Sequence, residues 1–252
     1  MAKSVFEYFR PKRSAYHEPA SFGFEILRCA VKSKGFDVGD SAPKTHHLLP
    51  RFHPRYSVGC NRTHESPSMQ IEKTNLPGVL ILTPTRFGDA RGFFCESWNR
   101  KRMEDHGIAL DFVQDNHSVS AEVGTLRGLH YQSPPHAQDK LVRCGQGALF
   151  DVAVDIRRGS PTYGQWTGVE LTAENGKQLL VPKGFLHGFV TRDPNTEVLY
   201  KCTDYYAPEC DGGVRWDSCG VDWGMTSAPI LSAKDTDAVT FDAFESPFDF
   251  EG

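Results

Sequence analysis

An all-β sandwich or barrel of the jelly-roll kind, with a few short helices and a mostly irregular N-terminal extension, is what this 252-residue sequence predicts. Three observations carry that prediction. Short apolar runs recur from Met69 onward, glycines and prolines break them apart (23 and 16 in the chain), and one run alternates cleanly between apolar and polar positions.

Taken in order, Met69-Gln70-Ile71-Glu72-Lys73 opens the strand-like texture, and Val79-Leu80-Ile81-Leu82 ends at Thr83-Pro84. Residues 97–106 hold the one good helical pattern, closed by Gly107. Within 149–156, Phe150, Val152, Val154 and Ile156 face one way while Asp151, Ala153 and Asp155 face the other, which puts Asp151 on the polar face of its strand. Val169-Glu170-Leu171, Leu179-Leu180-Val181 and Val198-Leu199-Tyr200 supply further strands between Gly, Pro and Asn breaks.

Residues 1–68 differ in kind. Asp40-Ser41-Ala42-Pro43-Lys44 and Pro50-Arg51-Phe52-His53-Pro54-Arg55 are polar and proline-broken, and only 22–31 has helix or strand character. This segment carries 11 Lys+Arg against 6 Asp+Glu, whereas the remainder carries 17 against 26, so the balances are +5 and −9. It reads as a basic, disordered extension, either an added segment or the product of an upstream start codon, dispensable for a working domain at 69–252. His46, His47, His53, Cys60 and His64 fit no zinc-ligand spacing and read as a His-rich linker.

Composition excludes several classes. The acidic main part offers no nucleic-acid footprint, and no apolar run approaches the ~18 residues of a membrane span. The N-terminus has no secretory apolar core, so a cytoplasmic location is expected. Seven cysteines without a C-x-x-C pair read as free thiols in a reducing compartment.

The chemistry concentrates at His130, inside Arg127-Gly128-Leu129-His130-Tyr131-Gln132, with Lys140 following in Gln138-Asp139-Lys140-Leu141-Val142-Arg143. A lone imidazole with a nearby ammonium suits proton abstraction beside a carbonyl: one takes the proton, the other steadies the oxyanion. The run lacks the second histidine and the glutamate that a metal site would want. That combination points to an epimerase or isomerase.

Nine segments, in order, resemble the dTDP-4-dehydrorhamnose 3,5-epimerase family, cupin-type enzymes of deoxysugar biosynthesis. They are Gly88-Asp89-Ala90-Arg91-Gly92-Phe93-Phe94, Phe112-Val113-Gln114-Asp115-Asn116-His117-Ser118, Leu126-Arg127-Gly128-Leu129-His130-Tyr131-Gln132, and Lys140-Leu141-Val142-Arg143. The series continues with residues 150–157, Ser160-Pro161-Thr162-Tyr163-Gly164, Pro182-Lys183-Gly184-Phe185-Leu186-His187-Gly188-Phe189, Leu199-Tyr200-Lys201 and Leu231-Ser232-Ala233-Lys234-Asp235. The resemblance implies a cupin fold, a homodimer and a dTDP-linked 4-keto-6-deoxyhexose as substrate, with no cofactor and no metal.

Site roles follow from the same resemblance. His130 matches the general base, Asp235 the carboxylate paired with it, Lys140 the oxyanion stabiliser and Tyr200 the acid on the opposite face. Arg91, Arg127 and His187 match the phosphate contacts; Glu96, Gln114 and Asn116 join the nucleotide or sugar contacts; Phe93 and Tyr205 are candidates to flank thymine. Asp151 is expected to position Lys140 or His130. Two departures stand out: Lys183 and Leu186 replace the family's usual glutamate and alanine, and the stretch from Trp216 to Gly224 is short and lacks a proline after Trp223. Rival readings are a mono-epimerase, a ketoisomerase, a metal-dependent cupin and a non-catalytic sugar-nucleotide-binding module.

Overall fold

Alternation, turn residues and apolar runs translate into thirteen strands in a computed structural model that describes residues 68–252. The strands are β1 (Met69–Lys73), β2 (Leu80–Pro84), β3 (Arg86–Asp89), β4 (Gly92–Cys95), β5 (Gln114–Ser120), β6 (Leu126–Gln132) and β7 (Lys140–Gln146). They continue as β8 (Ala148–Asp155), β9 (Trp166–Thr172), β10 (Gln178–Val181), β11 (Phe185–Thr191), β12 (Thr196–Cys202) and β13 (Asp211–Gly213). Two short helices, α1 (Arg100–Asp105) and α2 (Ala233–Thr236), complete the set that matters here. The segment at 22–31 and the cluster from His46 to His64 lie outside the described residues.

Two antiparallel sheets face each other. One has the order β1-β2-β10-β7-β12-β5, the other β13-β6-β11-β8-β9, and β3-β4 forms a separate hairpin. From β5 to β8 each strand crosses to the opposite sheet, which gives the sandwich its jelly-roll character. Val142, Leu179, Val181 and Val198 of the first sheet meet Leu149, Ala153, Leu171 and Phe189 of the second in the central core.

The alternation at 149–156 is real, but both faces are largely buried. Asp151 and Asp155 are fully buried along with Ala153, and Val152, Val154 and Ile156 on the other face are buried too. The cause is tertiary: the C-terminal segment lays Val214, Trp223 and Phe248 over the back of the five-stranded sheet. Hydrogen bonds compensate the buried carboxylate of Asp155, which accepts from Arg157, Ser160 and Thr162.

The helix expected at 97–106 is shorter than its pattern. Asn99 caps it, its side chain accepting from the Arg102 amide at 3.3 Å, and Gly107 follows in the left-handed region at φ +78°. Met103 of this helix packs with Leu82, Leu141 and Leu180 on the outer face of the six-stranded sheet. The five described cysteines are all free thiols, and among the described residues no helix is long and apolar enough to cross a membrane.

Candidate active site

Between the two sheets lies a cavity of about 460 Å³, and its walls have different chemistry. The five-stranded sheet contributes Arg127 and His130 from β6 and His187 and Phe189 from β11; the six-stranded sheet contributes Ser118, Lys140 and Tyr200. The segment before and within α2 closes one side with Leu231, Ser232 and Asp235.

Strand geometry alone would not bring Arg127 and His130 together, since residues three apart on a regular strand point to opposite faces. A bulge resolves the conflict. His187 pairs with His130 and Phe189 with Arg127, so two steps along β11 correspond to three along β6. Gly128 sits in the bulge at φ +131°, and a Cβ there would stand 2.6 Å from Gly188 Cα. Gly128→Ala is therefore expected to cost about 2–4 kcal/mol of stability, read from the midpoint of chemical denaturation.

His130 is tied to Asp235 by a 2.5 Å contact between Nε2 and Oδ1. Asp235 is buried and also accepts from the Ser232 hydroxyl at 2.7 Å. Burial pushes its carboxyl pKa up, but the hydrogen bonds from His130 and Ser232 outweigh this and hold it below the usual carboxylate value. An ionised Asp235 can only accept, so Nε2 carries the proton and Nδ1 is the basic nitrogen.

On the facing wall, β12 alternation turns Tyr200 and Cys202 inward, and register sets Cys202 opposite Lys140 on one side and Gln114 on the other. Among the described residues Lys140 has no ion-pair partner. Burial lowers its pKa, against the opposing pull of Cys202, Asp211 and Asp151 nearby. The Tyr200 phenol is pushed up, chiefly by burial, with Cys202 and Asp211 adding to the shift.

Asp151 bonds neither His130 nor Lys140 directly. Its Oδ1 lies 2.7 Å from His187 Nε2, so it orients that imidazole instead, and its other oxygen is buried without a partner among the described residues. The strand register explains this, because His187 and Asp151 are diagonal neighbours on β11 and β8.

The remaining expected contacts scatter. Arg127 lines the cavity and is steadied by Ser120 Oγ at 3.3 Å. Gln114 and Asn116 lie on β5 and bond each other at 3.2 Å, outside the cavity lining proper. Tyr205 is 64% exposed on the loop after β12. Arg91 pairs with Asp89 on the exposed β3–β4 hairpin, Phe93 is 58% exposed there beneath the Arg86 guanidinium, and Glu96 pairs with Arg102 of α1. None of those three lines the cavity that holds His130.

Three further polar residues line the cavity: Ser118, Thr125 and Ser232. The Ser118 hydroxyl is buried without a partner among the described residues; the period-two continuation of Gln114 and Asn116 on β5 is the signal that finds it. Ser232 is the N-cap of α2, legible in the Ser-x-x-Asp spacing.

Residues 73–243 match the family model described as dTDP-4-dehydrorhamnose 3,5-epimerase. The chain is 52% identical over 177 residues to the dTDP-4-dehydrorhamnose 3,5-epimerase of Salmonella typhimurium, covering 69% of this chain and 96% of that protein. A crystal structure of dTDP-4-dehydrorhamnose 3,5-epimerase from Bacillus anthracis with TDP and PPi bound aligns with a TM-score of 0.67 at 50% identity, covering 69% of this chain and all of that one. A structure of dTDP-6-deoxy-D-glucose-3,5-epimerase from Legionella pneumophila in complex with dTDP-4-keto-L-rhamnose gives a TM-score of 0.68 at 46% identity, covering 71% of this chain and 95% of that one.

Proposed function

Because the chain belongs to the dTDP-4-dehydrorhamnose 3,5-epimerase family, a family of isomerases, we propose that it inverts carbons 3 and 5 of dTDP-4-dehydro-6-deoxy-D-glucose to give dTDP-4-dehydro-L-rhamnose. The reading needs no cofactor. The substrate's 4-ketone acidifies the hydrogens on both neighbouring carbons, so one base and one oxyanion stabiliser serve two inversions. His130 Nδ1 removes the proton, the Lys140 ammonium stabilises the enolate oxygen, and the Tyr200 phenol returns a proton to the other face.

One observation carries this assignment. The base stands on the five-stranded sheet and the acid on the six-stranded sheet, across a single cavity. Inversion requires removal and delivery on opposite faces of a planar enolate, and facing walls supply that arrangement. The raised pKa of Tyr200 keeps the phenol protonated, as an acid must be.

Arg127 and His187 serve the pyrophosphate end of the substrate. Arg91 and Phe93 project from an exposed hairpin, together with Phe94 at 66% exposure, and this supports a homodimer in which the hairpin of one copy completes the cavity of the other. Residues 69–252 form the working domain in this reading, and its location is the cytoplasm.

Proton NMR of dTDP-4-keto-6-deoxyglucose with the protein in heavy water tests the proposal. Deuterium is expected at both carbons 3 and 5. Tyr200→Phe, which keeps the ring and removes the hydroxyl, is expected to retain label at carbon 3 and lose inversion at carbon 5. Label at carbon 3 alone in the unmodified protein would reassign it as a mono-epimerase, and binding without exchange would leave a sugar-nucleotide-binding module.

A further inference from the structure

The aspartate that orients His130 sits on a helix of a single turn. Helix α2 spans four residues, Ala233–Thr236, too short to hold its own position through helical hydrogen bonds. The chain around it is pinned at two isolated bridges, Ile230 to Thr125 before the helix and Val239 to Val214 after it. Between those bridges, two side chains reach out to the sheet: Asp235 to His130, and Lys234 to Asp211.

Asp211 is placed where such a tie would matter. It opens β13, pairs with Gln132, and stands two residues before Gly213, the register partner of His130. The Lys234–Asp211 ion pair therefore joins the strand beside His130 to the helix carrying Asp235. The same carboxylate accepts from the Tyr206 hydroxyl at 3.1 Å, and the Tyr206 amide donates to Gln114 Oε1 at 2.9 Å. One carboxylate thus braces both α2 and the loop that bears Tyr205.

We propose that Asp211 and Lys234 are positioning residues: their ion pair clamps α2 so that Asp235 holds His130 in its reactive tautomer and orientation. This rests on the proposed role of His130 as the base. The pair is partly exposed, with side-chain exposures of 49% for Lys234 and 20% for Asp211, and such pairs contribute little to stability. Its consequence is geometric, since small misplacement of a reacting group lowers rate far more than it lowers stability.

The test uses the full-length protein. Lys234→Met is expected to lower kcat about 10- to 100-fold with KM changed less than threefold, and Lys234→Arg to restore most of the rate. Asp211→Asn is expected to lower kcat similarly and to raise KM as well, because it also frees Tyr206. The double variant Asp211→Asn/Lys234→Met is expected to be no slower than Asp211→Asn alone. In parallel, the 15N shifts of the His130 ring in ligand-free protein report its tautomer, and in Lys234→Met they are expected to move towards a mixture. Unchanged ring shifts, or a kcat within twofold of the unmodified protein, would overturn the clamp. A shifted tautomer in a protein that fails to exchange deuterium into the sugar would uphold the clamp and overturn the functional reading instead.

Discussion

Replacing His130 with asparagine is expected to reduce kcat by about 10³-fold and to abolish deuterium incorporation at both sugar carbons, with binding of the nucleotide sugar largely retained. The asparagine has no nitrogen that can take a proton, and its shorter amide stops short of the Nε2 position from which His130 meets Asp235. Loss at one carbon only would require a second base. His187 would be the candidate, because it lines the same cavity and is oriented by Asp151 at 2.7 Å. Isothermal titration with dTDP separates the two possible causes of inactivity: a variant that still binds dTDP has lost chemistry, and one that does not has lost the site.

Lys140→Met carries the second large effect and splits activity from stability. The methionine approximates the length of the lysine stem and removes the ammonium, so kcat is expected to fall about 10²- to 10³-fold. Stability should move the other way. A buried ammonium with no ion-pair partner among the described residues destabilises the fold, and its removal is expected to raise Tm by about 2–5 °C. The pH profile follows from the direction of the shift. Only the protonated ammonium stabilises an enolate, and burial depresses its pKa, so activity is full at lower pH and falls as pH rises through a value below that of a free lysine. Burial shifts the Tyr200 phenol in the opposite direction, above its ordinary value. In Lys140→Met the limb assigned to lysine should disappear from the residual activity, and a limb that persists unchanged would assign it elsewhere.

The departures from the family's usual pattern are absorbed by the fold and lie apart from His130, Lys140, Tyr200 and Asp235 in the cavity lining. Leu186 is fully buried in the cluster behind the five-stranded sheet, and the Lys183 amide bonds Asp139 on the segment leading into Lys140. In the short stretch from Trp216 to Gly224, the indole N–H of Trp223 donates to the Trp216 carbonyl at 2.9 Å, which closes the loop without a proline.

Strands were legible because their signals are local. Alternation over β8, the Pro and Gly breaks and the Gly107 stop after α1 all lie within a few residues of the elements they define. His130, Lys140, Tyr200 and Asp235 were legible through their motifs, and the fold gathers all four into one cavity. The direct partner of Asp151, His187, has no signal in the sequence, because alternation says which residues share a face, not what covers it. Arg91 and Phe93 stand on the β3–β4 hairpin and Glu96 just after it, and none of the three lines the cavity of its own chain.

By itself, then, the sequence determined the sandwich class and several of its strands, because period and turn chemistry are written into short windows, and its motifs supplied the candidate site residues. Only the tertiary structure decided which groups act together. The bulge at Gly128 turns Arg127 and His130 to the same side, diagonal register gives Asp151 to His187, and α2 folds back to bring Asp235 within 2.5 Å of a histidine 105 residues away. These placements depend on strand pairing and on packing across long stretches of chain, so no local pattern encodes them.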